Sequence, residues 1–256
     1  MRRRFLTPAN LVGDETLATL REAVLWPRDL APILPTAGPG DDVVVLIHGF
    51  FASAGVFRPM RARLERDANA RVATFTHAPG FGVRRIAQNL AEIVDKIPRE
   101  ARVHVVGHSL GGIVARWYVQ ELGGHARVTQ TISLASPFGG TPVARRFPWL
   151  VGADLHADSP LLERLRVGLH VQSVPHVSVI AGDDRLVPPR RAAFHFGEVV
   201  HLAGRGHNTL LFDEEVIRLV VARVRAASTV APVSRVTTSP AELLDEPSSV
   251  ALPRSA

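Results

Sequence analysis

The sequence predicts a doubly wound, mostly parallel α/β sheet with a small cap or lid insertion. Short β-branched runs alternate with helix-like segments along the chain, and alternation at this spacing is typical of such a sheet. The first clear strand, DDVVVLIHG at 41–49, is an uninterrupted apolar run, as expected for a strand that is buried on both faces. With 256 residues, the chain is long enough to bury one substantial core.

The remaining elements follow from periodicity and from helix stop signals. In chain order, the expected elements after the first strand are a helix at 56–68, a strand at 70–77, a helix at 83–97 closed by Pro98, a strand at 101–107, a helix at 110–122, a strand at 127–135, strands at 176–182 and 198–204, and a final helix at 208–226.

Two segments interrupt this rhythm and define the expected domain organisation. Residues 138–175 are long for a connection between strands, and insertions of this kind often cover a site. Within them, DSPLLERLRVGL predicts a short helix with Asp158 or Ser159 as its N-cap and Pro160 at its first position. We expect residues 1–40 to pack as an extension on a main domain at 41–226, and residues 227–256 to form a disordered tail.

Composition excludes several classes of function. The chain has no cysteine, which rules out disulfides, thiolate chemistry and cysteine-type zinc sites. The net charge is +6, but the arginines are scattered and no nucleic-acid motif accompanies them, so no nucleic-acid partner is expected. Weak attraction to anionic membrane surfaces needs no motif and remains open. We expect neither a metal nor a cofactor.

The N-terminus, MRRRFLTPANLVGDE, begins like a signal peptide, but Pro8, Asn10 and Asp14 interrupt the apolar segment that one requires. No run of 18 apolar residues is present, so no transmembrane segment is predicted. These features predict an unprocessed, cytoplasmic protein. The oligomeric state is left open.

The sequence Gly107-His108-Ser109-Leu110-Gly111 fits the pattern G-x-S-x-G between a predicted strand and a predicted helix. A serine on such a sharp turn has a strained backbone, and side chains two positions away would collide with the neighbouring chain. The alternative explanation is a tight turn that needs small residues. Ser109 is therefore a candidate nucleophile that requires a base and an acid elsewhere.

The carboxyl ends of parallel strands are where ligand chemistry collects in an open α/β sheet. His207 follows a predicted strand and precedes a predicted helix, whereas its nearest rival, His201, falls within the strand. Asp183 and Asp184 come just after another strand, and either could serve as the acid or as a turn residue. The expected base is His207.

An oxyanion needs donors aimed at the charge that develops during acyl transfer. The N–H of Leu110 lies at the start of the helix after Ser109, where the helix dipole favours negative charge. A second donor is expected from HGFF at 48–51, where Gly49 allows close approach of the backbone. Phe50 N–H is the preferred donor and Phe51 N–H the alternative.

Together these segments resemble the α/β-hydrolase superfamily over residues 41–226. VVVLIHGF resembles its oxyanion strand, GHSLGG its nucleophile elbow and GRGHNTLL its histidine loop. GDDRLVP is similar to the D-x-x-V-P acid turn of the superfamily, and this resemblance favours Asp184 over Asp183 as the acid. GHSLGGIVARWYV followed by ISLASPFGGTPVA is similar to bacterial triacylglycerol lipases and their relatives.

The resemblance implies an α/β-hydrolase fold and hydrolysis of a small-molecule or lipid ester by Ser109, His207 and Asp184 without a cofactor. Candidate contacts of the acyl chain are Phe51, Phe138, Trp149 and Leu150. The chain shows no calcium-ligand cluster of the kind that some secreted bacterial lipases carry, so an esterase with a lipase-like core fits equally well. A thioesterase, amidase or acyltransferase could use the same triad, and a non-catalytic binding protein could keep the same fold.

Overall fold

A computed structural model describes residues 8–146, 148, 151–168, 170 and 172–229. Its centre is a sheet of six parallel strands in the order β2-β1-β3-β4-β5-β6. The strands are β1 (Asp42–Ile47), β2 (Arg71–Phe75), β3 (Arg102–His108), β4 (Val128–Leu134), β5 (His176–Ala181) and β6 (Glu198–Leu202). The prediction of a doubly wound parallel sheet is confirmed.

The helices are α1 (Pro8–Leu25), α2 (Arg58–Asp67), α3 (Val83–Val94), α4 (Leu110–Glu121), α5 (Gly152–Leu155), α6 (Pro160–Val167) and α7 (Glu214–Thr229). Short 3-10 helices at Ala54–Phe57, Gly124–Ala126, Pro142–Arg146, Pro189–Arg191 and Asn208–Leu211 complete the connections.

The two faces of the sheet carry separate hydrophobic cores. Along β1, the alternate residues Val43, Val45 and Ile47 pack with α3 and α4, whereas Val44 and Leu46 pack with α2 and α7. Every residue of β1 is buried, because a central parallel strand is covered on both faces. This explains why its sequence is continuously apolar and does not alternate.

Three local features differ from the sequence-based expectations or sharpen them. The N-cap of α6 is Ser159, whose Oγ accepts a hydrogen bond from Leu161 N at 3.1 Å. The expected helix at 208–226 is divided, because Asp213 Oδ1 accepts hydrogen bonds from Glu215 N and Val216 N and so starts α7 anew. Helix α7 continues to Thr229, and the rest of the expected tail lies outside the described residues.

Helix α1 has no counterpart among the expected elements. It packs beside the 3-10 helix Asn208–Leu211 and near the 3-10 helix Ala54–Phe57. The chain that follows it is fixed to the sheet by paired backbone hydrogen bonds between Ile33 and Thr74, at 2.8 and 3.0 Å. The segment before β1 therefore lies at the carboxyl ends of the strands, where the candidate site residues are found.

Within the part of the chain that the structure describes, we find no helix with both the length and the apolar character needed to cross a bilayer.

Candidate active site

Ser109 lies on the turn between β3 and α4 in a rare backbone conformation, with φ at 51° and ψ at −117°. A non-glycine residue with positive φ is strained and persists only where its surroundings enforce it. Its N–H donates to Leu134 O at 2.8 Å. A Cβ on Gly107 would overlap the backbone of Gly111 and Gly112, and one on Gly111 would overlap Ile47 O. The expected need for glycine on both sides of Ser109 is confirmed.

His207 and Asp184 are in direct contact. Nδ1 of His207 lies 2.7 Å from Oδ2 of Asp184, and both side chains are buried. Oδ1 of the same carboxylate accepts hydrogen bonds from Leu186 N and Val187 N, each at 2.8 Å. One oxygen of Asp184 thus holds its own loop and the other holds the imidazole. This contact assigns the proton of the neutral ring to Nδ1 and leaves Nε2 as an acceptor.

The two rivals from the sequence lie elsewhere. Asp183 is exposed, and its N–H donates to Arg205 O at 2.9 Å. His201 is an exposed residue of β6. The carboxylate that lies against Nδ1 of His207 is that of Asp184.

A cavity of about 240 Å³ lies between the turn of Ser109 and the loop of His207. Ser109 and His207 both line it, together with Gly49, Phe50 and Phe51 from the loop after β1. Most of its remaining lining is apolar and includes Val143, Ala144, Val151, Leu155, Leu186 and Val187. The cavity can therefore hold an apolar group beside a serine and an imidazole.

The oxyanion candidates lie on two sides of Ser109. Leu110 is the first residue of α4, and an amide in the first turn of a helix has no intrahelical acceptor. The loop with Phe50 runs close by, because a Cβ on Gly49 would lie 3.2 Å from Ser109 Cβ. Phe51 has φ at 58°, and the residue is 52% exposed. Both phenylalanines line the cavity.

The remaining predicted contacts of an acyl chain have different outcomes. Phe138 does not line the cavity: its ring packs on Phe194, with centroids 4.9 Å apart, and on His176 at 5.5 Å. Trp149 and Leu150 lie outside the described residues. The insertion at 138–175 instead reaches the cavity through other apolar side chains, those of Val143, Val151 and Leu155.

Buried histidines connect the loops around the site. Nε2 of His108 lies 3.2 Å from His207 O, and the two rings are 4.8 Å apart between centroids. Burial lowers the pKa of His108 well below the usual range of histidine. A neutral His108 therefore donates to the backbone of the loop that carries His207, and so ties the turn of Ser109 to that loop.

Helix α1 supplies a carboxylate that sequence reasoning missed. Glu22 lines the same cavity as Ser109 and His207, and burial raises its pKa. No motif marks this residue, since the pattern of α1 gave no sign of which face meets the cavity. Among the described residues, no group of three or more histidine, aspartate or glutamate side chains is arranged to hold a metal ion.

Comparisons with known proteins bear on the fold and the family of this chain. No curated protein matches the sequence. The crystal structure of mature lipase BlEst2 from Bacillus licheniformis is similar over 77% of this chain and 99% of that one, with 13% identity and a TM-score of 0.62. Lipase B of Aspergillus fumigatus is similar over 75% of this chain and 55% of that one, with 19% identity and a TM-score of 0.61.

The similarity to an esterase from Pyrobaculum calidifontis extends over a larger share of this chain. That esterase is similar over 89% of this chain and 94% of that one, with 15% identity and a TM-score of 0.57. These likenesses show a shared fold. The family model described as "Alpha/beta hydrolase family" matches residues 44–171, from the third residue of β1 through the elbow of Ser109 and most of the insertion. The chain therefore belongs to the alpha/beta hydrolase family.

Proposed function

We propose that the protein is a serine hydrolase that cleaves carboxylic esters with apolar acyl groups. The observation that carries this proposal is the buried contact between Asp184 and His207 at the wall of a cavity that Ser109 also lines. A nucleophile, a base and an oriented acid in one cavity are the requirements of acyl transfer. The lipases and the esterase with the same fold support the choice of esters.

In the proposed first step, Nε2 of His207 takes the proton of Ser109 Oγ as the oxygen attacks the carbonyl carbon of the ester. The N–H groups of Leu110 and Phe50 stabilise the negative charge on the carbonyl oxygen. Asp184 holds the imidazolium in place. The tetrahedral intermediate then collapses, the C–O bond to the alcohol breaks, and His207 returns its proton to the departing oxygen.

The second step uses the same groups on the acyl enzyme. His207 takes a proton from a water molecule, whose oxygen attacks the acyl carbon. The bond to Ser109 Oγ breaks, and that oxygen recovers the proton from His207. The products are a carboxylic acid and free enzyme, so that no cofactor is consumed.

The apolar lining indicates which end of the ester the cavity holds. Val143, Ala144, Val151 and Leu155 come from the insertion at 138–175 and lie in the same cavity as Ser109. Each buried methylene contributes about 0.8 kcal/mol, or roughly a fourfold gain in kcat/KM. We propose that this insertion is a cap that receives the acyl chain.

The test combines covalent labelling with a substrate series. The wild-type protein should react with a fluorophosphonate probe, and Ser109→Ala should not. Ser173→Ala, a change at an exposed serine, is the matched control and should be labelled like the wild type. With p-nitrophenyl esters, kcat/KM should rise from acetate to butyrate. A folded wild-type protein that resists labelling would contradict the proposed function.

A further inference from the structure

A carboxylate of α1 holds the backbone directly after His207. Glu15 Oε1 accepts a hydrogen bond from Asn208 N at 2.8 Å. Glu15 Oε2 accepts two more, from Thr209 N at 3.0 Å and from Thr209 Oγ1 at 2.8 Å. Both oxygens of one side chain are therefore used on the two residues that follow the candidate base.

The position of this carboxylate suits the local backbone. His207 is the N-cap of the 3-10 helix Asn208–Leu211, with no side-chain cap of its own, and the first amides of a helix have no acceptor within it. Hydrogen bonds from backbone N–H groups to a carboxylate are stronger than neutral ones. Glu15 thus supplies from α1 the cap that the His207 loop lacks.

The loop is also shaped to admit Glu15. A Cβ on Gly206 would overlap Oε2 of Glu15 and lie 2.7 Å from its Cδ. Gly206 directly precedes His207, so the residues on both sides of the base are in contact with the same side chain. A side chain larger than hydrogen at position 206 would displace the Glu15 carboxylate. The contact is thus a packed feature of the site.

The segment that carries Glu15 is anchored independently of it. Nε and Nη2 of Arg58 each lie 2.8 Å from a carboxylate oxygen of Asp29. Trp26 Nε1 donates to Phe51 O at 2.9 Å and so joins the segment to the loop of the oxyanion candidates. Because the chain directly after α1 is held at these points, the Glu15 carboxylate can fix the position of the His207 loop relative to the rest of the site.

We propose that Glu15 is a positioning residue for His207, acting through the backbone of Asn208 and Thr209. This inference rests on the proposed function, since it gives His207 the role of base. Without Glu15, two amides and one hydroxyl lose their acceptor, and the loop gains freedom next to the imidazole. Small errors in the position of a catalytic group reduce turnover strongly. A residue of α1, before the first strand of the sheet, then supports the candidate base through the backbone that follows it.

The experiment compares three full-length variants. Glu15→Ala removes the acceptor. Glu15→Gln keeps one acceptor oxygen and provides a second variant if the alanine variant does not fold. Asp29→Asn is the matched control, because it weakens the attachment of the same segment at Arg58 without touching the His207 loop. Asparagine also tolerates the positive φ of 56° at this position.

Three readouts are needed: kcat and KM on p-nitrophenyl butyrate, the rate of fluorophosphonate labelling, and hydrogen exchange of the Asn208 and Thr209 amides by NMR. We expect Glu15→Ala to lower kcat and the labelling rate by about 10- to 100-fold, with KM within about twofold and faster exchange of both amides. Glu15→Gln should fall between this variant and the wild type. Asp29→Asn should keep the kcat of the wild type.

An unchanged kcat in Glu15→Ala would overturn the proposal. An equal loss of kcat in Asp29→Asn would also overturn it, because general loosening of the segment would then suffice. Unchanged exchange at Asn208 and Thr209 would show that Glu15 does not hold the loop. Failure of the proposed function is distinct: the wild type would then neither hydrolyse esters nor be labelled, and the exchange measurement would still report on the Glu15 contact.

Discussion

The rings of His48 and His77 are stacked, with centroids 3.8 Å apart and planes 11° from parallel. Nδ1 of His48 lies 2.8 Å from Gly49 O, and its Nε2 accepts a hydrogen bond from His77 N at 3.1 Å. Protonation of Nε2 would place two donors against each other. This pair therefore fixes His48 as a neutral ring beneath the loop that leads to Phe50.

The His48 pair predicts acid sensitivity of the fold. Burial, with a smaller contribution from His77, lowers the pKa of His48 to about 3. A histidine in the unfolded chain has a pKa of about 6.5, so the unfolded state binds the extra proton first as the pH falls. The contribution of neutral His48 to the free energy of unfolding is fully present above about pH 6.5 and declines as the pH falls toward 3.

This pH dependence can be measured by urea unfolding at pH 7.5, 6 and 5. His48→Gln keeps an acceptor for His77 N but cannot take up a proton, so its free energy of unfolding should fall less between pH 7.5 and 5 than that of the wild type. His201→Gln, at an exposed histidine, should leave the fall unchanged. An equal fall in all three proteins would contradict the assignment.

Separate substitutions of Asp183 and Asp184 by asparagine should distinguish their roles. In the wild type, one carboxylate oxygen of Asp184 accepts hydrogen bonds from two backbone N–H groups of its loop, and the other lies against Nδ1 of His207. Asp184→Asn replaces this carboxylate with a carboxamide. An amide has only one acceptor oxygen, so one of these sets is lost. We expect kcat for p-nitrophenyl butyrate to fall on the order of 10³- to 10⁴-fold. Asp183→Asn, at an exposed neighbour, should stay within about twofold, and the reverse ranking would exclude Asp184 as the acid.

The close packing at the elbow predicts a steep cost for one added methyl group. In Gly111→Ala, the new Cβ would meet Ile47 O, a backbone atom of the central strand that cannot rotate away. We expect a loss of about 2 kcal/mol or more in the free energy of unfolding. Gly38→Ala is the matched control, because nothing lies within 4 Å of its Cβ position. A change of less than about 0.5 kcal/mol in both variants, measured by urea unfolding, would contradict this prediction.

Glu22 should influence which esters enter the cavity. Its carboxylate lies among mainly apolar lining residues, and like charges repel more strongly where water is scarce. Glu22→Gln should therefore raise kcat/KM several-fold for half-esters of dicarboxylic acids, with a smaller change for neutral esters of equal length.

The control for Glu22 is Glu100→Gln, which removes an exposed carboxylate shortly before β3 begins, at the opposite end of that strand from Ser109. It should not alter the preference between charged and neutral esters. Because burial raises the pKa of Glu22, the discrimination of the wild type should weaken as the pH is lowered toward that pKa. Equal discrimination by wild type and Glu22→Gln would show that Glu22 does not act on substrate charge.

Local patterns were enough to predict the sheet, because each of its strands carries its own β-branched apolar run. The same reasoning brought Ser109 and His207 to one edge of that sheet. The choice of Asp184 over Asp183 needed the resemblance to a family, since both follow β5 and nothing in their local sequence tells which one is buried. The contact with His207 is a property of the folded loop.

The residues that line the cavity could not be predicted from local sequence patterns. Phe138 is apolar and follows β4 closely, yet its ring turns into the core against Phe194. Leu17, Leu20 and Val24 of α1 are exposed, so the apolar residues of that helix do not indicate the face that meets the site. Glu15 contacts Asn208, and Glu22 shares a cavity with Ser109 and His207. These residues lie far apart along the chain, so their proximity depends on tertiary packing.

The hydrogen bond between Glu15 and Asn208 spans 193 positions of the chain. During synthesis, α1 leaves the ribosome before any strand of the sheet, whereas the His207 loop emerges only after all six strands have passed. Loop closure over so long a separation comes late in folding. The sheet and the turn of Ser109 can therefore form around an unfinished site, and hydrolytic competence is expected to be the last property that a newly made chain acquires.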